Sequence, residues 1–273
     1  MYAFYFKNII FTKIFYMAQE RPLILVTNDD GITAPGIRAL IEVMNKLGDV
    51  VVVAPDAVQS GMGHAVTIHS TLYLDEVKID EGPQKEYKSN GTPVDCVKLA
   101  IGEVLHRKPD LIVSGINHGA NSSINVIYSG TMSAAVEGGI EGIPSIGFSL
   151  LDFHWDADFS ASKHYAEIVA KDVLANGLPK GIVLNVNIPK LLLSEIKGIK
   201  VARQAHDKWE ETFDKRQTPH GRDYYWLTGV FERFDKGTDT DIHALNNAYV
   251  SVVPVHFDMT AHQWLEKLKF LEK

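Results

Sequence analysis

A single cysteine in 273 residues, Cys96, leaves no intramolecular disulfide to hold the fold together and no thiolate set for a structural zinc. Basic charge is also short. The 27 Lys and Arg stand against 34 Asp and Glu, a net charge of −7, so no overall positive field exists to hold a nucleic-acid backbone. Long apolar runs are missing too: the apolar and aromatic stretch Met1–Tyr16 is cut by Lys7 and Lys13 into pieces too short for a bilayer. That stretch also lacks the unbroken middle and small-residue cleavage site of a secretory leader. Neither nucleic acid nor membrane is an expected partner, and a reducing cytoplasm is the expected compartment. Met17, followed by Ala18-Gln19-Glu20-Arg21 and then the first strong strand, reads as the start of the compact protein, with 1–16 an amino-terminal extension.

Several chemistries are missing as motifs. The sequence contains no G-x-x-x-x-G-K-[ST], no G-x-G-x-x-G after the first strand, no G-x-S-x-G and no H-E-x-x-H. P-loop NTPase, dinucleotide dehydrogenase, nucleophile-elbow hydrolase and zincin readings lose their support.

What is present is a sizeable core, with 45% of residues hydrophobic. Leu23–Thr27, Val50–Ala54 and Leu111–Val113 are short apolar runs without alternation, the pattern of strands covered on both faces in a parallel sheet. Ile37, Leu40, Ile41, Met44 and Leu47 recur at helical spacing between Pro35 and Gly48, and Gly91-Thr92-Pro93 opens a second apolar helix that the spacing carries as far as Leu105. A hairpin-like excursion covers Ala65–Ser89, Ala134-Ala135-Val136 mark a helix of small residues, and Pro144–Phe148 begins a fourth strand. Alternating strands and helices indicate an α/β, Rossmann-like, doubly wound and mostly parallel sheet, whose ligands bind beyond the carboxyl ends of the strands. After Pro189 the order changes. Trp209–Val230 and Tyr249–Val255 suggest antiparallel strands, and Gln263–Leu271 reads as an amphipathic helix. Residues 17–189 are thus the expected catalytic core and 190–273 a carboxyl-terminal region for packing or assembly.

The chemistry collects at the strand ends. Asn28-Asp29-Asp30-Gly31 describes a turn by composition, but it follows a buried strand, where Gly31 lets two adjacent carboxylates approach one point. Two such charges about 4 Å apart repel by roughly 4 kcal/mol at an effective dielectric near 20. A hard divalent cation, magnesium or manganese, removes the conflict. Ser60 and Asn117 offer neutral oxygens from the next two strand ends, and Ser129-Gly130-Thr131 before a helix is suited to an anion. Asn121 can add a hydrogen bond to the same anion. His64 and His118 fall in the same loops without a defined role, and Cys96 reads as a core residue.

Taken together, Val26–Gly31, Ser60-Gly61, Gly91–Cys96, Ser114–Asn117 with Gly119 and Asn121, Tyr128–Thr131 with Glu137-Gly138, Tyr224–Trp226 and Thr240-Asp241 through Tyr249–Val252 resemble the SurE (survival protein E) 5′-nucleotidase family. The resemblance runs from about Pro22 to Pro254 and leaves only the amino-terminal extension outside. It implies a metal-dependent phosphomonoesterase for nucleoside 5′-monophosphates, with 3′-nucleotides and short polyphosphate as further substrates. It implies one divalent ion per subunit held by Asp29, Asp30, Ser60 and Asn117, and phosphate held by Asn121, Ser129, Gly130 and Thr131. Asp29 or Asp30 would orient or deprotonate the attacking water. It further implies a homodimer or homotetramer with exchanged carboxyl-terminal arms. Two departures from the family pattern bear on loop shape: Ser122-Ser123 where a glycine-containing stretch is common, and Ala248 where glycine is frequent. The rival readings are a phosphatase of another substrate class and a non-catalytic nucleotide-binding module on the same fold.

Overall fold

The computed structural model describes residues 21–272; the extension 1–16 and the start at Met17 lie outside them. The chain runs β1 (Leu23–Thr27), α1 (Pro35–Leu47), β2 (Asp49–Pro55), β3 (Leu74–Val77), β4 (Lys85–Ser89), α2 (Pro93–Leu99) and β5 (Leu111–His118). It continues through α3 (Gly130–Ile140), β6 (Ser145–Leu150), α4 (Ser160–Asn176), β7 (Ile182–Ile188) and β8 (Ile199–Val201). The hairpin β9 (Lys208–Gln217) and β10 (Asp223–Glu232), then α5 (Asp241–Asn246) and β11 (Val250–His256), complete it.

Nine strands form one sheet in the order β3-β4-β2-β1-β5-β6-β7-β11-β8. The block from β4 through β7 is parallel throughout; β3 at one edge, and β11 with its parallel neighbour β8 at the other, run antiparallel to it. Because β1 feeds β2 on one side and lies beside β5 on the other, the strand order reverses at β1 and opens a crevice at the carboxyl ends of β1 and β5. Helices α1 and α4 cover one face, where Ile37, Leu40, Met44, Tyr165 and Val169 join the larger core cluster. On the other face Cys96 and Val97 of α2 and Ala134 of α3 meet Leu25, Val53 and Ile112.

Local chemistry explains the element ends. Pro35 opens α1, which buries the expected Ile37, Leu40, Ile41 and Met44 and stops at Gly48. In α2 the Thr92 side chain accepts from Asp95 N–H while the Asp95 carboxylate accepts from Thr92 N–H, a reciprocal cap. That helix is shorter than its apolar spacing predicts. Its ladder widens into a π turn over Ala100–Val104, and Leu105 is extended.

The segment after Pro189 returns to the core sheet through β8 and β11, while among the described residues β9 and β10 pair only with each other. The amphipathic helix expected over Gln263–Leu271 is corrected by two 3-10 turns, His262–Trp264 and Glu266–Leu271, with no buried residue. A helix this short depends on burying its apolar face, and Trp264, Leu268 and Phe270 remain exposed. The two departures from the family pattern fall on the two non-glycine residues with positive φ among those described, Ser123 (+53°) and Ala248 (+64°). Ala248 follows α5 in a Schellman turn, in which Tyr249 N–H donates to Ala244 C=O and Ala248 N–H to Leu245 C=O. Ser123 is held by its N–H donating to Asp241 and its hydroxyl donating to Ala205 C=O.

Candidate active site

The apolar run of β1 ends in a turn closed by Asn28 Nδ2 donating to Gly31 C=O at 2.8 Å. Gly31 adopts φ +96°, which a side chain would strain. Asp29, 4% exposed, meets the amino-terminal turn of α3, where the Thr131 hydroxyl and peptide N–H both donate to its carboxylate. A Cβ on Gly130 would lie 2.8 Å from Asp29 Cβ, so the helix approaches this closely because position 130 has no side chain. The Asp30 Oδ2 accepts from His118 N–H at 3.2 Å, which ties the β1 turn to the end of β5.

The loop after β2 carries Ser60 and is fastened at three points. Gln59 N–H donates to Asp29 C=O at 2.7 Å, Gly63 N–H to Tyr128 C=O at 3.1 Å, and His64 Nε2 lies 2.9 Å from the Glu137 carboxylate. Glu137 also pairs with Lys98, and its carboxyl is held below the ordinary glutamate range chiefly by His64. In β5 the register against β6 shifts between Ser114 and Asn117, and a bulge of this kind re-aims the residue that follows it. Asn117 Nδ2 then donates to Gly119 C=O at 2.8 Å, leaving Oδ1 as the available acceptor.

These segments enclose a cavity of about 340 Å³ that Asp29, Ser60, Asn117, Asn121 and Ser129 all line. Asp30, Gly130 and Thr131 are not among its lining residues; Asp30 adjoins Asp29 in the same turn, and the Thr131 hydroxyl donates to Asp29. Ser129 caps α3, its hydroxyl accepting from Met132 N–H at 3.0 Å. A larger cavity of about 790 Å³ lies at the opposite, amino-terminal strand ends beside Arg21, Asp49 and Arg107, and holds none of the expected residues.

Electrostatics single out the smaller cavity. Burial, reinforced by the Asp30 charge, pushes the Asp29 carboxyl up to about 6, and burial raises Asp30 as well. Among the described residues no Lys, Arg or His side chain makes an ion pair with either carboxylate. No group of three or more His, Cys, Asp or Glu is assembled there for a metal either. The donor set is instead two carboxylates with a hydroxyl and a carboxamide oxygen, which suits a hard cation that keeps waters and substrate oxygens in its remaining positions.

Sequence reasoning did not single out the aromatic wall of the cavity, where Phe153 and Trp209 stand with Tyr128. Trp209 is fixed by Nε1 donating to Asn125 Oδ1 at 2.8 Å. It also passed over Asn185 and Asn187. Their signal was available: two carboxamides at alternate positions of the otherwise apolar run Ile182–Ile188, both buried.

Comparison with known proteins gives a consistent result. The family model described as Survival protein SurE matches residues 24–211. A protein of Christiangramia forsetii named 5′-nucleotidase SurE is 66% identical over 253 residues, covering 92% of this chain and 97% of the relative. A protein of the same name from Flavobacterium johnsoniae is 66% identical over 252 residues with the same coverage. Among solved structures, the SurE protein of Aquifex aeolicus superposes with a TM-score of 0.80 at 42% identity, covering 92% of this chain and 100% of that one.

Proposed function

This chain belongs to the SurE survival-protein family, and from that premise we propose that it is a metal-dependent 5′-nucleotidase working in the cavity at the carboxyl ends of β1 and β5. The observation that carries the placement is the adjacent pair Asp29, buried, and Asp30, half-buried, whose carboxyls are both raised by burial and make no ion pair with a Lys, Arg or His side chain among the described residues. Asp29, Asp30, Ser60 and Asn117 would hold one magnesium or manganese ion. When bound, that ion neutralises the paired carboxylates, polarises the phosphoryl oxygens and lowers the pKa of a water.

The chain's own residues do the rest. Thr131 fixes the Asp29 carboxylate where Asp29 lines the cavity. Asn121 and Ser129 line the wall where phosphate would sit, and the start of α3 adds the positive end of its dipole. Charge developing on the equatorial oxygens of the transferring group is stabilised by these fixed donors, and in-line attack by water needs no covalent phosphoenzyme. A phosphate-release panel at saturating Mg²⁺ or Mn²⁺ tests the reading. Nucleoside 5′-monophosphates should exceed sugar phosphates by at least about tenfold in kcat/KM, roughly 1.4 kcal/mol of discrimination. Equal or greater turnover of sugar phosphates would assign another substrate class.

The β9–β10 hairpin supports association into a dimer or tetramer through carboxyl-terminal arms. Among the described residues it pairs with no other strand, and it leaves Phe213, Trp226 and Val230 more than half exposed, at 69%, 59% and 63%. Light scattering should give a mass of two or four chains, and a monomer at micromolar concentration would contradict this. Among the described residues no helix is long and apolar enough to cross a membrane. The fully buried thiol of Cys96 suits a cytoplasmic setting, burial raising its pKa far above the ordinary range.

A further inference from the structure

A row of polar residues crosses the sheet where apolar side chains would be expected. Asn117 of β5, Ser149 of β6, Asn187 of β7 and Ser251 of β11 are successive register partners. Ser149, Asn187 and Ser251 are all 0% exposed, and Asn185, two residues earlier on the same face of β7, is 2% exposed. Such groups are costly to bury unless each finds a partner. Those on β7 find theirs in one place. Asn121 N–H donates to Asn187 Oδ1, Asn187 Nδ2 donates to Asn185 Oδ1, and Asn185 Nδ2 donates to Asn121 C=O, each at 2.8 Å. The Asn121 side chain is held separately, Nδ2 donating to Ser149 Oγ at 2.8 Å.

The ring is closed and directional. A peptide N–H can only donate and a peptide C=O can only accept, so the backbone of Asn121 dictates the orientation of both carboxamides, and they in turn grip both polar atoms of that peptide. Asn121 sits in the segment joining β5 to the 3-10 turn at Ser123–Ile127, where no sheet ladder fixes it. On the reading given above, its carboxamide faces phosphate.

We propose that Asn185 and Asn187 are positioning residues for phosphate binding, which act by clamping the Asn121 peptide so that its side chain is presented to the cavity at a fixed height and angle. The proposal rests on the functional reading above, and the wild-type enzyme separates the two: failure to hydrolyse nucleoside 5′-monophosphates with any divalent ion would remove that reading. In an enzyme that does hydrolyse them, Asn187→Ala should lower kcat/KM for AMP on the order of 100-fold, the loss that a displacement of about 1 Å can cause. Mn²⁺ affinity, read by calorimetry without substrate, should stay within about twofold, because the ring touches none of Asp29, Asp30, Ser60 and Asn117.

The decisive measurement is a double-mutant cycle. If Asn187 acts through Asn121, the Asn121→Ala/Asn187→Ala enzyme should be no worse than Asn121→Ala alone; additive losses would overturn the proposal. So would wild-type-like kcat/KM in Asn187→Ala, whatever its Tm. Should that variant not fold, amide exchange in wild type decides: the Asn121 N–H should be protected as strongly as the amides of β7, and rapid exchange there would overturn the clamp.

Discussion

The Asp29→Asn enzyme is expected to release phosphate from AMP at least about 1000-fold more slowly than wild type, with an unchanged circular dichroism spectrum. Asparagine keeps the shape of the side chain and an oxygen to accept from Thr131, so the contact between the β1 turn and α3 survives. What disappears is the charge that the cavity offers to a divalent ion. Catalytic metal ions contribute several kcal/mol to transition-state stabilisation, and each 1.36 kcal/mol is a decade in rate, which sets the expected size. Exhaustive chelation should do to wild type what the substitution does, with recovery on adding Mg²⁺ or Mn²⁺. Asp30→Asn should behave likewise, since it removes the partner charge from the same turn. Full activity in chelated wild type would refute the role assigned to this pair.

The same substitution should make the chelated protein more stable at neutral pH. A carboxyl raised to about 6 in the folded state, against an unfolded value near 3.8, opposes folding once it ionises. The sign follows from proton counting. Below about pH 4 both states hold the proton and the group contributes nothing. Between about 4 and 6 the unfolded chain loses its proton first, and stability falls. Above about 6 the loss is complete, on the order of 3 kcal/mol at 1.36 kcal/mol per pH unit of difference. Chelated wild type should therefore show a higher urea midpoint at pH 5 than at pH 8 relative to chelated Asp29→Asn, which lacks this term. Adding the divalent ion at pH 8 should restore wild type and not the variant. Parallel pH profiles for the two proteins would show that Asp29 carries no buried charge.

The parallel core was legible because β1, β2 and the start of β5 are buried on both faces and so are written as unbroken apolar runs, while α1 repeats its apolar positions every three to four residues. Asp29, Ser60, Asn117, Asn121 and Ser129 were legible as polar residues at strand and helix ends, and the structure sets all five around one cavity. The role of Thr131 was not. Its hydroxyl looks the same in sequence whether it meets a phosphate or a carboxylate, and only the approach of α3 to the β1 turn turns it onto Asp29. Nor could the apolar positions of Gln263–Leu271 declare that nothing among the described residues covers them, so their helical spacing pointed to a helix where the structure has 3-10 turns. Asn185 and Asn187 stood out as carboxamides in an apolar strand, but their role was hidden: their partner is a peptide group more than sixty positions away, and main-chain atoms leave no mark in a sequence.

The contact between Gly130 and Asp29 limits how this enzyme can be redesigned. With 2.8 Å between Asp29 Cβ and the point where a methyl would begin, even alanine at 130 must lever the first turn of α3 off the acid it steadies. A combinatorial library aimed at new substrates can vary the aromatic wall at Phe153 and Trp209, but it has to keep codon 130 constant, because what that codon encodes is an empty space.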